Sequence, residues 1–190
     1  MKKIMFDDRL GLTDAVLDGR KTTTRRFAEK VLVEDENGFL CWTGYFKNPR
    51  YKPGEVVAVA QRYCDIKEYN PEDYEDVMLS DGAICEASHP YAHLMREPGW
   101  GNKMFVRADL MPHQIRITSI RVERLQDISD EDCLREGIIK MTFDTFSFDS
   151  WKFFTHNPRE AFAALIDKVS GKGTWNSNPF VFVYEFELVK

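Results

Sequence analysis

No uninterrupted apolar run in this 190-residue chain approaches the ~20 residues that cross a bilayer. The longest, Val56–Ala60 and Ala161–Ile166, are a quarter to a third of that length. Cysteine is sparse: Cys41, Cys64, Cys85 and Cys133 lie far apart without a C-x-x-C pair, which favours buried thiols over a disulfide framework. There is no phosphate-binding G-x-x-x-x-G-K-[ST] loop, no G-x-G-x-x-G and no Ser-His-Asp arrangement. Internal repeats and low-complexity tracts are lacking as well. The N-terminal residues Met1–Asp8 hold two lysines but turn acidic before any apolar run develops, so no signal peptide is expected and the anticipated location is the cytoplasm.

What is present is an ordinary globular composition, 43% apolar and 30% charged, in a length that suits one domain carrying a large insertion. The net charge of −5 argues against broad, salt-driven nucleic-acid binding. The charge is unevenly placed, however. Residues 1–30 and 103–124 are each net +3, whereas 31–102 is net −7 and 125–190 net −4. Two basic segments in an acidic body suit a local anionic or nucleotide-sized ligand better than a long duplex.

Periodicity and turn chemistry place the elements. A helix is expected from about Leu10 to Asp18, burying Leu12, Ala15 and Val16 and stopping at Gly19. Asn37-Gly38 between Val31–Val33 and Phe39–Trp42 is a hairpin signal. Tyr51–Glu55 reads as a turn that launches the strand Val56–Ala60. Residues 65–102 are acidic, polar and interrupted by proline and glycine, and belong to an insertion at about 65–112. Ile115–Leu125 reads as a strand with Ile115, Ile117, Ser119 and Arg121 on one face. Ser129 and Asn157-Pro158 mark helix starts, Gly137 and Gly171 helix stops. Phe180–Leu188, with Phe180, Phe182, Tyr184, Phe186 and Leu188 on one face, is expected to be a central strand. Scattered strands with a few short helices predict an α+β fold built on a small mixed β-barrel, not a doubly wound sheet.

The segment richest in chemistry is Arg20-Lys21-Thr22-Thr23-Thr24-Arg25-Arg26, which follows a helix end with cations and hydroxyls that can grip an anionic or carbonyl ligand. On a flat strand Thr22, Thr24 and Arg26 share one face and Lys21, Thr23 and Arg25 the other. The plain alternative is an exposed edge strand whose cations blunt aggregation.

Gly-Arg-Lys-Thr-x-Thr-x-Arg after a short helix resembles the signature of ASCH domains, a branch of the PUA-like β-barrel superfamily. Three further segments resemble that family in order and content: Tyr51–Val59, Ile117–Gly137 with its Glu-Gly helix end, and Asn178–Phe186 as the closing strand. Together they cover about half of the chain. The resemblance implies a PUA-like barrel, an association with RNA and, for some members, hydrolysis of N4-acetylcytidine without a cofactor. Carried over by position, the lysine, threonine and glutamate of those amidohydrolases fall on Lys21, Thr24 and Glu136, with Thr22, Arg25 and Arg26 as ligand-binding neighbours. The chain departs from the small amidohydrolases by nearly twice their length, chiefly at 65–112 and 139–157, so the insertion lines, covers or blocks the pocket.

The implied chemistry is sound in outline. A threonine hydroxyl attacks an amide carbonyl only when a base takes its proton, and a lysine is such a base only when neutral. Burial or nearby Arg25 and Arg26 favour the neutral form, whereas a direct Glu136 partner opposes it. The strand alternation also sets Lys21 and Thr24 on opposite faces, so a bulge or twist is required to bring them together.

Other candidates are weaker. Cys85, His89 and His93 recur every four residues, but Pro90 breaks the helix that a metal site would need. Trp42, Tyr45, Trp100, Trp151 and Trp175 are packing residues before they are base-stacking ones. Arg116, Arg121 and Arg124 either extend a cationic surface or form a solvated strand face. The leading expectation is therefore recognition of a nucleoside or RNA, in its sharper form hydrolysis of an N-acyl group on a modified cytidine. A non-catalytic RNA-binding module is the alternative, and a ribonuclease ranks last because His89, His93, His113 and His156 lie outside the matched segments. Neither a metal, a membrane nor a particular protein partner is implied.

Overall fold

In the computed structural model, residues 1–34, 40–62, 103–104, 106–141, 144–148 and 153–189 are described, with 31–34 and 40–45 given by their backbone. Strand β9 (Phe180–Leu188) is paired on both sides, antiparallel to β6 (Gln114–Arg124) and to β2 (Thr23–Phe27). β6 continues to β5 (Val56–Val59), which pairs in parallel with β1 (Lys3–Ile4), giving the order β1-β5-β6-β9-β2. The internal position of β9 follows from its composition. Phe182, Tyr184 and Phe186 are buried on one face and Val181 and Val183 on the other, so neither face tolerates water. β3 (Lys30–Glu34) and β4 (Leu40–Phe46) form the expected antiparallel pair, and β7 (Ile139–Lys140) pairs with β8 (Phe146–Ser147).

The fold is mixed α+β. Among the described residues the main sheet keeps two edges, β1 and β2, and no strand pairing closes it into a barrel. The Asn37-Gly38 turn, Cys64, Cys85, His89, His93, Trp100, Trp151 and most of the 65–112 insertion lie outside the described residues. No helix among the described residues is long and apolar enough to cross a membrane.

Among the described residues four α-helices accompany the sheet: α1 (Leu12–Leu17), α2 (Asp130–Arg135), α3 (Pro158–Ser170) and α4 (Thr174–Ser177). α1 is shorter than the periodicity predicts because Gly11, at φ +63°, separates it from a 3-10 turn over Asp8–Leu10. Its Leu12, Ala15 and Val16 are buried as expected. Ser129 caps α2 by accepting from the Asp132 N–H at 3.1 Å, and Asn157 caps α3 by accepting from the Arg159 N–H at 2.9 Å.

β6 departs from simple alternation. Ile117 opposes Phe186, but Ser119 opposes Glu185, so two residues advance on β6 for one on β9. Such a bulge reverses which residues face which side. Ile115 and Ile117 therefore share a face with Ile120 and Val122, not with Ser119 and Arg121 as flat alternation predicts. The reversal turns Arg121 and Glu123 to the side of Arg25 and Glu185, with consequences for the site.

α2 ends at Gly137, whose φ of +105° is a conformation that side chains rarely adopt. A Cβ there lies 3.3 Å from Leu12 Cδ2 and 3.7 Å from Lys21 Cδ, so α1 and Lys21 both press on this turn. Gly137→Ala should lower the urea-unfolding free energy by about 1–2 kcal/mol, while Ser129→Ala should cost about 1 kcal/mol through the lost cap.

Candidate active site

The segment entering β2 is threaded between three elements. The Lys21 N–H donates to Ala15 O at the end of α1, the Thr22 N–H to Arg135 O at the end of α2, and the Phe186 N–H of β9 to Thr22 O. β2 begins only at Thr23, so Lys21 is not a strand residue and strand alternation does not govern it. This removes the obstacle that a flat strand poses to Lys21 and Thr24 meeting on one site. Both line a cavity of about 630 Å3, together with Arg25, Arg26 and Glu136. β2 is the terminal strand of the sheet, which lets side chains from both its faces reach the same cavity.

Glu136 is the hub. Its Oε2 accepts from Lys21 Nζ at 2.5 Å and its Oε1 from Arg25 Nη1 at 2.9 Å. Lys21 Nζ also donates to the Glu136 backbone oxygen at 2.7 Å. Lys21, Arg25 and Glu136 are all buried. Burial pushes the Lys21 pKa down, Glu136 opposes this, and Arg26 and Arg25 add to the lowering, the net shift being downward.

Behind the hub the charges continue outward. Arg25 Nη2 contacts Glu123 at 2.7 Å and Asp132 at 2.9 Å. Arg121 then pairs with Glu123, Asp132 and Glu185, and Arg135 with Asp132 and Glu185. Four cations thus interleave with four carboxylates, dry beside the cavity and half-exposed at the far end. Thr24 is also buried and makes no side-chain hydrogen bond among the described residues; the same is true of the fully enclosed hydroxyl of Thr23 beside it. A buried ion cluster adds little net stability against an apolar replacement, and this one stands beside a threonine in a cavity.

Sequence reasoning brought five of its six site residues to this cavity. Thr22 is not among its lining residues, and its hydroxyl accepts from Arg135 Nε at 3.2 Å. The walls that the sequence did not signal are non-local. Met5–Arg9 form one side, with Arg9 paired to Asp7 and Lys103 paired to Asp8. Phe162, Leu165, Ile166 and Val169 of α3 form an apolar side. The apolar run Ala161–Ile166, within the helix that Asn157-Pro158 starts, is the sequence feature that corresponds to that wall.

Of the remaining candidates, Trp175, Arg116 and Arg124 are described, while the side chains of Trp42 and Tyr45 lie outside the described residues. Trp175 stands edge-on to Phe162 at 6.1 Å. Arg116 pairs with Glu187 on the surface, on the same face of the sheet as Arg121, whereas Arg124 lies over the Phe180 ring at 3.7 Å on the opposite face. Cys133 is free and buried, and burial raises its thiol pKa to about 12. No group of three or more His, Cys, Asp or Glu among the described residues is arranged to hold a metal ion. No family model matches the chain, and neither a curated protein nor a solved structure does.

Three outcomes follow from this geometry. Arg25→Ala removes one cationic partner from each of Glu123, Asp132 and Glu136 and should cost roughly 3–5 kcal/mol in chemical unfolding. Burial raises the Asp132 pKa, but Arg25, Arg121 and Arg135 outweigh it and hold the carboxyl below its ordinary 3.8. Its stabilisation is therefore full above pH 3.8 and lost as pH falls through the folded value, so Asp132→Asn should be less stable at neutral pH and flatten the stability profile below about pH 4. Under native conditions at pH 8, iodoacetamide should leave the Cys133 peptide unmodified by mass spectrometry, and modify it only after unfolding.

Proposed function

We propose that the protein is a small amidohydrolase of the ASCH type, with a PUA-like core, that removes an N-acyl group from a modified cytidine. The observation that carries this reading is a single cavity lined by an unpartnered threonine hydroxyl, a buried lysine and the carboxylate that holds that lysine. A volume near 630 Å3 also falls within the range of small-molecule sites.

The objection that the Glu136 carboxylate keeps Lys21 protonated is met by burial, which with the nearby Arg26 and Arg25 outweighs the hold of Glu136 and favours the neutral amine. A neutral amine has two N–H bonds and one lone pair. Two acceptors on Glu136, Oε2 and the backbone oxygen, take two N–H donors and leave the remaining tetrahedral position for the lone pair. In this mechanism that lone pair removes the Thr24 hydroxyl proton as Oγ1 bonds to the acyl carbon. The C–N bond then breaks, and Lys21 returns the proton to the departing cytosine amine. Water, deprotonated in the same way, cleaves the threonyl ester and releases the carboxylic acid. Glu136 orients the lysine throughout, and Arg25 prevents it from holding the proton too tightly.

The test is incubation with N4-acetylcytidine, following cytidine release by chromatography. Thr24→Ala and Lys21→Met should each lower kcat by at least 1,000-fold with the thermal midpoint within a few degrees of wild type. The rate should rise with pH through an apparent pKa below the ordinary lysine value of 10.5. No release by the wild type, with RNA affinity that falls steeply as salt rises, would favour a non-catalytic RNA-binding module instead.

A further inference from the structure

The cavity's charges do not all cancel. Asp7 pairs with Arg9, Asp8 with Lys103, and Glu136 lies between Lys21 and Arg25. Arg26 is the one cavity cation without a carboxylate partner among the described residues. Its guanidinium donates through Nη2 to the Met5 backbone oxygen at 2.6 Å, and its Cζ lies 5.8 Å from the Phe6 ring. These contacts fix the head group against the N-terminal wall while leaving most of its N–H donors unused. Five cations and three carboxylates line the cavity, giving it a local charge of +2 in a chain of net −5.

We propose that Arg26 is an anchor for the phosphate of a nucleotide ligand, and that the site takes a free acylated cytidine 5′-monophosphate in preference to the nucleoside. The inference rests on the reading of the cavity as a cytidine site. A guanidinium presents a planar fork to phosphate oxygens, and Arg26, exposed at the edge of the sheet, is open to a ligand. The Phe6 ring and the Met5 carbonyl hold that fork in place beforehand, which lowers the ordering cost on binding. The separation of roles is also chemically orderly: Glu136 occupies Lys21 and Arg25, so the catalytic groups stay engaged with each other and the unpaired cation takes the ligand's charge.

Binding of unacylated cytidine and cytidine 5′-monophosphate tests this without requiring turnover. By titration calorimetry in low salt, the wild type should bind the monophosphate about 10–100-fold more tightly than cytidine. In Arg26→Gln this ratio should fall to within about twofold, and in Arg26→Lys an intermediate ratio should remain, since charge is kept and the fork is lost. Thermal melting of both variants checks that the fold persists. Equal wild-type affinity for the two ligands, absence of monophosphate binding, or a preference that survives Arg26→Gln would overturn the proposal. A short single-stranded RNA with an internal cytidine that binds more tightly than the monophosphate, with the same Arg26 dependence, would overturn the free nucleotide as the ligand and assign the phosphate to RNA. Arg26-dependent monophosphate binding by a protein that never releases cytidine would sustain the anchor and sink only the hydrolase reading.

Discussion

One carboxylate shared by two buried cations organises this molecule. Glu136 stands at the end of α2 and reaches Lys21 before β2 and Arg25 within it. Each of the three groups is too costly to bury alone, and each is tolerable because the others are present. The arrangement therefore ties a helix end, a strand entry and an edge strand together more strictly than apolar packing does, because apolar surfaces slide and hydrogen-bonded charges do not. Gly137 belongs to the same constraint. Only a residue without Cβ lets α2 end where Lys21 and Leu12 already stand, and so lets Glu136 face the cavity.

The bulge in β6 is the second requirement. Without the extra residue between Ile117 and Ser119, Arg121 and Glu123 belong to the other face of the sheet and Arg25 loses its outer partner. With it, charge is handed from the dry cavity through Arg25 and Asp132 to half-exposed Arg121, Arg135 and Glu185. A graded chain of this kind lowers the cost of ionising the inner groups, since no charge in it lacks an opposite neighbour.

The parts legible in the sequence are those decided locally. Ser129 as an N-cap, Asn157-Pro158 as a helix start and Gly137 as a stop depend on a few adjacent residues, and the structure has each where turn chemistry puts it. The alternating aromatics of β9 likewise announce an internal strand. Long-range decisions were not legible. The bulge is a matter of register between β6 and β9, and nothing in Ile117-Thr118-Ser119 by itself distinguishes it from continuous strand. Lys21 was treated as a strand residue because the β-branched run of threonines begins beside it; the hydrogen bond from its N–H to Ala15 O, a tertiary contact, takes it out of the strand. The cavity walls from Met5–Arg9, Lys103 and α3 come from parts of the chain far apart in sequence, and Thr22, which shares every local property with Thr24, is engaged by Arg135 instead.

The position of β2 at the sheet edge reconciles two readings of its cationic run. As an edge strand it needs charges that discourage pairing with another chain, and Arg26 is exposed there. Arg25, the next residue back, turns to the opposite face and is consumed by internal carboxylates. An interior strand has both faces covered by sheet neighbours' packing partners and offers a ligand no backbone-close approach. An edge strand presents side chains from both faces to one space, which is why the Thr24 hydroxyl, the buried Arg25 and the exposed Arg26 can occupy consecutive positions and still line a single cavity. Protection of the edge and construction of the site are thus two consequences of the same six residues.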